Sequence, residues 1–144
     1  MSQITVRHEE ADRFRIDVRG HSVVVDQPGK GDAGPTPTEL FVASLAACTG
    51  FYARRFLSRH GLDDGDLTVV CDFGWAADHS RVVAIALRIE VPGGVPEELR
   101  PALMRAVDLC TVHESLRVTP HVSFEIAGPS VLAMPRELAL EVGG

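Results

Sequence analysis

Apolar and polar residues alternate early in the chain. Phe14, Ile16 and Val18 interleave with Arg15, Asp17 and Arg19, a two-residue period that predicts a half-buried strand. A second short strand is expected at Ser22–Asp26, around Val23, Val24 and Val25, after the break at Gly20. Residues 27–35 hold three Gly and two Pro and therefore read as a loop. From Leu40 to Cys48 the period is lost, because only Ser44 is polar. A helix that is apolar all round is expected to be buried all round, so this one should be central. Thr36, Pro37 and Glu39 supply its start as a capping box with proline at the first helical position. Arg59, His60 and Gly61 supply its end.

Two longer alternations follow. Leu67, Val69, Cys71, Phe73 and Trp75 define one strand face, and Val83, Ile85, Leu87, Ile89 and Val91 another. Residues 77–80 join them, so the pair predicts a hairpin. A second helix is expected at Pro96–Cys110, with Pro101 tolerated only in the first turn. A short helical continuation at Val112–Arg117, a last strand at Val122–Ile126 and a short helix at Arg136–Val142 complete the expectation. The order βββ-α-ββ-α-β is that of an α+β fold with mostly antiparallel pairing. Residues 1–144 are expected to form a single domain with residues 128–144 peripheral to it.

The 144 residues carry 14 Lys and Arg against 20 Asp and Glu, a net charge of −6, with no basic cluster. Nucleic acid is therefore not an expected partner, since binding it begins with phosphate neutralisation. The start of the chain, Met1–Thr5, has no basic segment leading into an apolar one, and no apolar run is long enough to span a bilayer. A soluble, cytoplasmic protein without membrane partners is expected. In that compartment the three cysteines are thiols, and any disulfide is transient.

Cys48 lies about three turns into the apolar helix, where a cysteine is either a small core residue or a nucleophile. A nucleophile needs its thiolate stabilised, and the helix dipole fades within one turn. A cation from another element would be required, with Arg13, Arg15 and Arg19 as candidates. Cys110 ends the second helix, 62 residues further on. Packing of the two helices could bring the two within disulfide reach. Cys71, on the apolar face of its strand, reads as core.

Gly34-Pro35-Thr36-Pro37-Thr38-Glu39-Leu40-Phe41 leading into Leu45-Ala46-Ala47-Cys48, followed by Leu109-Cys110-Thr111-Val112-His113, resembles the OsmC/Ohr family of hydroperoxide-detoxifying proteins. The similarity extends through about Ile126. The resemblance implies an intertwined homodimer, in which antiparallel sheets wrap two central helices and the active sites lie at the subunit interface. It implies a peroxidase in which Cys48 attacks an organic hydroperoxide to leave a sulfenic acid. Cys110 would resolve that acid as a disulfide, and an external dithiol, lipoyl-type in one branch, would reduce it. No metal, flavin or other cofactor is implied. Arg13 and Glu39 are the supporting residues the resemblance suggests. The chain departs from the pattern where Thr38 takes the place of a Glu, moving the acid one residue on to Glu39. It departs again where Thr111 replaces the proline after the second cysteine.

Two other readings are open at this point. The same fold could hold a small ligand without catalysis, in an interface pocket with Phe41, Phe51 and Tyr52 as apolar walls. Cys110-x-x-His113 has the spacing of half a zinc site, but His21, His60, His79 and His121 are scattered singly and four ligands are needed. The sequence has no Gly-x-Ser-x-Gly elbow for a hydrolase.

Overall fold

The computed structural model describes residues 2–29, 31–62 and 65–131. The expected helix at Arg136–Val142 lies outside them. Three strands, β1 (Ile4–Glu10), β2 (Arg13–Val18) and β3 (His21–Val25), form an antiparallel sheet. The helix α1 (Pro37–Arg59) follows, then the hairpin β4 (Thr68–Trp75) and β5 (Val82–Glu90). A 3-10 turn at Glu97–Leu99 leads into α2 (Arg100–Asp108), and α3 (Thr111–Arg117) completes the order. The α+β class and the antiparallel pairing are as expected.

The ends of α1 are set by local chemistry. Thr36 Oγ1 accepts from the Glu39 N–H at 3.2 Å, and Glu39 Oε2 accepts from the Thr36 N–H at 2.7 Å. At the other end Gly61, with φ of +63°, turns the chain so that Leu62 N–H reaches Leu57 O at 2.9 Å and Gly61 N–H reaches Ser58 O at 3.2 Å. This left-handed cap satisfies carbonyls that the helix leaves open and returns Leu62 to the core. Between these caps, Ala53, Phe56 and Leu57 pack with Leu103 and Val107 of α2, partly covered by Ile89 of β5. Complete burial of an aliphatic side chain such as Leu57 contributes about 1.5–3 kcal/mol.

Three expectations need correction. First, α1 is not buried on every side of this single chain: Val42, Leu45 and Thr49 are buried, but Phe41 is partly exposed and Phe51 is 71 % exposed. Second, a bulge between Gly74 and Trp75 shifts the hairpin register, so Trp75 pairs with Val82. The bulge puts Val83 outside and lets Val82 take the half-buried position, breaking the simple alternation. Third, residues 122–126 are not a strand. Phe124 and Ile126 are 95 % and 98 % exposed, and among the described residues no ladder receives their backbone groups. The second helix also divides, with Pro101 in the first turn of α2 and a fresh start for α3 at Cys110.

The first sheet has one apolar face. Cross-strand pairing stacks Ile4 with Val18, Val6 with Ile16 and Val23, and Phe14 with Val25. Ile4 and Val6 are more than half exposed, so this face is largely uncovered by the rest of the chain. The sheet is fastened to α1 through the loop that follows it. Asp26 is buried, accepts from Gln27 N–H at 2.8 Å and Ala33 N–H at 3.1 Å, and lies 3.5 Å from Arg13 Nε. Gly34 passes so close to the Val24 carbonyl that a side chain there would collide with backbone.

The Ala33 and Gln27 amides, with Arg13 after them, hold the Asp26 carboxyl below its ordinary value of 3.8. A lowered folded pKa contributes stability above 3.8, and that stability is lost as pH falls through the folded value. Asp26→Asn should therefore lower the melting temperature near neutrality. Melting curves of the two proteins should converge as the pH is taken below 3.8; a gap that persists in acid would contradict this.

Candidate active site

Helical spacing puts Phe41, Leu45, Cys48 and Tyr52 along one face of α1. That face meets the corner between α2 and α3. Tyr52 Oη and Thr111 Oγ1 are 3.2 Å apart across the contact. Cys110 forms the corner itself. Its extended backbone precedes α3, and its Sγ accepts from the His113 N–H at 3.4 Å. The side chain of Cys110 has no exposed surface, whereas Cys48 is half-buried.

The two thiols are free and close enough for a hydrogen bond between them to bear on the Cys110 proton. Burial pushes the Cys110 thiol above its ordinary value. The His113 N–H and the Thr49 hydroxyl act against that rise, and the neighbouring Cys48 adds to it. Cys110 is therefore a shielded thiol that keeps its proton, and Cys48 is the member of the pair with a route to solvent. Cys71 stands apart on β4, half-buried, its thiol raised first by burial and then by Asp72.

Two clefts approach this pair. One of about 530 Å³ lies between β5 and α2, lined by Leu87, Ile89, Leu103 and Val107 and reaching Thr49 and His113. A second of about 450 Å³ lies between the start of α1, β5 and α3, lined by Phe41, Leu45, Ile85 and Leu116. Leu87 and His113 border both. Phe51, expected as a wall beside Phe41, instead lines a separate cleft with Ala47, Gly50 and Leu67.

The structure thus brings together Cys48 and Cys110 but places the other two expected site residues elsewhere. The Arg13 guanidinium is held by Glu10, 2.7 Å from its Nη1, and by Asp26. Glu39 closes the capping box with Thr36. Among the described interactions neither is with a thiol of this chain. Arg15, a further candidate cation, pairs with Asp17 at 3.3 Å. Thr49 and Tyr52 are residues that sequence reasoning missed as partners of the second motif. The available signal was their spacing from Cys48, one and four residues on. Among the described residues no group of three or more His, Cys, Asp or Glu could hold a metal ion. No described helix is long and apolar enough to cross a membrane.

A long helix carrying one cysteine, met by a buried second cysteine at a helix corner, defines an α+β protein with a two-thiol site. The family described as OsmC-like protein matches residues 29–125, and the chain belongs to it. No curated protein matches. Among solved structures, a Psychrobacter arcticus protein provisionally described as an osmotic-stress-induced and detoxification-response protein is 21 % identical, with a TM-score of 0.72 over 80 % of this chain and 88 % of that one. An OsmC-like protein from Mycoplasma pneumoniae is 17 % identical, with a TM-score of 0.70 over 83 % of this chain and 89 % of that one. The organic hydroperoxide resistance protein OhrB of Bacillus subtilis is 16 % identical, with a TM-score of 0.58 over 83 % of this chain and 92 % of that one. At these identities the likeness is one of fold.

The role of Thr49 can be checked directly. Its hydroxyl lowers the Cys110 thiol, so Thr49→Val should raise it further. Ultraviolet thiolate titration, with Cys48 and Cys71 replaced by Ser in both proteins, should show the remaining thiol ionising at higher pH. An unchanged or lowered titration would contradict the contact.

Proposed function

We propose that this chain is a thiol-dependent peroxidase that reduces organic or other small hydroperoxides. The observation that carries the reading is the pairing of a half-buried Cys48 with a fully buried Cys110. The Cys48 thiolate attacks the O–O bond, its sulfur takes one oxygen as sulfenic acid, and the alcohol leaves. The Cys110 sulfur then attacks the Cys48 sulfur, forming the disulfide and releasing water. An external dithiol, lipoyl-type in the simplest version, restores both thiols by exchange. No resident cofactor enters this cycle. The apolar lining of the clefts suits a hydroperoxide with a hydrocarbon substituent. Membership of the OsmC-like family, some of whose structural neighbours are named for hydroperoxide resistance, supports the same reading.

The reading includes a homodimer. The open apolar face of β1–β3, the exposed side of α1 and the segment 122–126 present large exposed apolar side chains, among them Ile4, Phe51, Phe124 and Ile126, that a partner surface would cover. A second copy would cover them and could bring Arg13 of one chain toward Cys48 of the other, as the cation that a thiolate needs. Sedimentation velocity should give twice the mass of the 15.5 kDa chain; a single-chain mass would contradict it.

A second reading keeps the fold and drops the chemistry, with the 530 Å³ cleft as a site for a small apolar ligand. Turnover separates the two. With cumene hydroperoxide and dihydrolipoamide, the wild type should consume peroxide and Cys48→Ser should lose at least a hundredfold. Cys110→Ser should lose turnover while still forming one sulfenic acid per chain. Peroxide consumption indifferent to Cys48→Ser would favour the ligand-binding reading.

A further inference from the structure

The cycle proposed above has an unmet requirement at its second step. Cys110 is buried and holds its proton, yet its sulfur must be deprotonated to attack, and the hydroxide leaving Cys48 must be protonated. Bulk water does not reach a side chain with no exposed surface, so a neighbouring group that carries the proton to the departing hydroxide would speed the step.

His113 stands where such a group is needed. Its backbone N–H binds the Cys110 sulfur at 3.4 Å, and its imidazole borders both clefts that approach the thiol pair. The ring is oriented: Nδ1 faces Asp108 Oδ1 at 3.4 Å. Asp108 is in turn fixed by Arg117, whose Nη2 donates to the same oxygen at 2.7 Å while its Nη1 donates to Glu114 at 2.6 Å. With Nδ1 turned to a carboxylate, Nε2 is the nitrogen left to exchange a proton. The charged groups around the ring are Asp108 from α2, Glu114 and Arg117 from α3, and Arg88 of β5 and Arg100 of α2, which line the first cleft with it.

We propose that His113, oriented by Asp108, is the proton carrier for disulfide formation between Cys110 and Cys48. Nε2 accepts the Cys110 proton as that sulfur attacks the sulfenic sulfur. The S–S bond forms, the S–OH bond breaks, and the proton passes from Nε2 to the departing hydroxide to give water. No redox partner beyond the sulfenic acid is consumed. The inference rests on the peroxidase reading and adds to it a residue and a step.

The test follows both steps in one experiment. Cys48 sulfenic acid is captured with dimedone, and the Cys48–Cys110 disulfide is counted by mass mapping, at times after one equivalent of cumene hydroperoxide. His113→Gln keeps the backbone donor and an amide that can still bond Asp108, but it cannot carry a proton. Sulfenic acid should accumulate in it, with disulfide formation slowed by about a hundredfold, the usual scale for losing a general base. In His113→Ala, added imidazole should restore the rate, which a merely structural role would not allow. Disulfide formation at the wild-type rate in His113→Gln, or no rescue of His113→Ala, overturns the inference and leaves the peroxidase reading standing. Formation of neither a sulfenic acid nor a Cys48–Cys110 disulfide in the wild type removes both.

Discussion

The contact between α1 and the α2–α3 corner is the constraint on which the site depends. Cys110 occupies that corner as a wholly buried side chain, and its surroundings are Cys48, Thr49 and the first amides of α3. Displacing the corner would expose the second thiol, separate it from the first and break the Tyr52–Thr111 contact together. The position of the corner is fixed from both sides. Leu103 and Val107 anchor α2 to Ala53, Phe56 and Leu57, and the caps of α1 hold the start and end of the helix that carries Cys48. The placement of the two thiols is thus a consequence of core packing one to two turns away.

Burial distinguishes the two cysteines, and the proposed cycle uses that difference. A thiol that reacts first with an external oxidant needs access, and Cys48 retains some. A thiol that reacts second needs proximity and protection from competing oxidation, and Cys110 has both. Burial also raises the Cys110 thiol, and the ion-paired cluster of Asp108, His113 and Arg117 lies at the same corner. Arg13 and Glu39 show the reverse case, in which residues with plausible chemistry have structural partners in this chain. Arg13 is ion-paired with Glu10 and Asp26, although its buried Nε makes no hydrogen bond, and Glu39 closes the helix cap.

Much of this was legible in the sequence because it is written locally. The capping box, Pro37, Gly61 and the displaced Pro101 fix helix ends through bonds spanning a few residues, and they fell where the pattern put them. Both motif cysteines were identified, and they meet. What escaped depends on longer paths. The bulge at Gly74 changes which valine faces inward without altering composition, so Val82 and Val83 exchanged places. Asp26 looked like the end of a strand, and only the return of the loop at Ala33 shows it to be a buried acceptor. Val122, Phe124 and Ile126 carry a strand-like alternation, but among the described residues no strand edge pairs with them. The same reason explains why α1, apolar all round, is covered on only part of its surface.

The account stands on Cys48 and Cys110 acting as one redox unit, and one measurement addresses that most directly. Free thiols are titrated in the reduced protein before and after one equivalent of cumene hydroperoxide, and any disulfide is located by peptide mass. Of the three thiols in the chain, two should disappear together, a Cys48–Cys110 link should account for them, and Cys71 should stay reduced. Oxidation that stops at one thiol in the wild type, that joins Cys71 instead, or that does not occur would contradict the account.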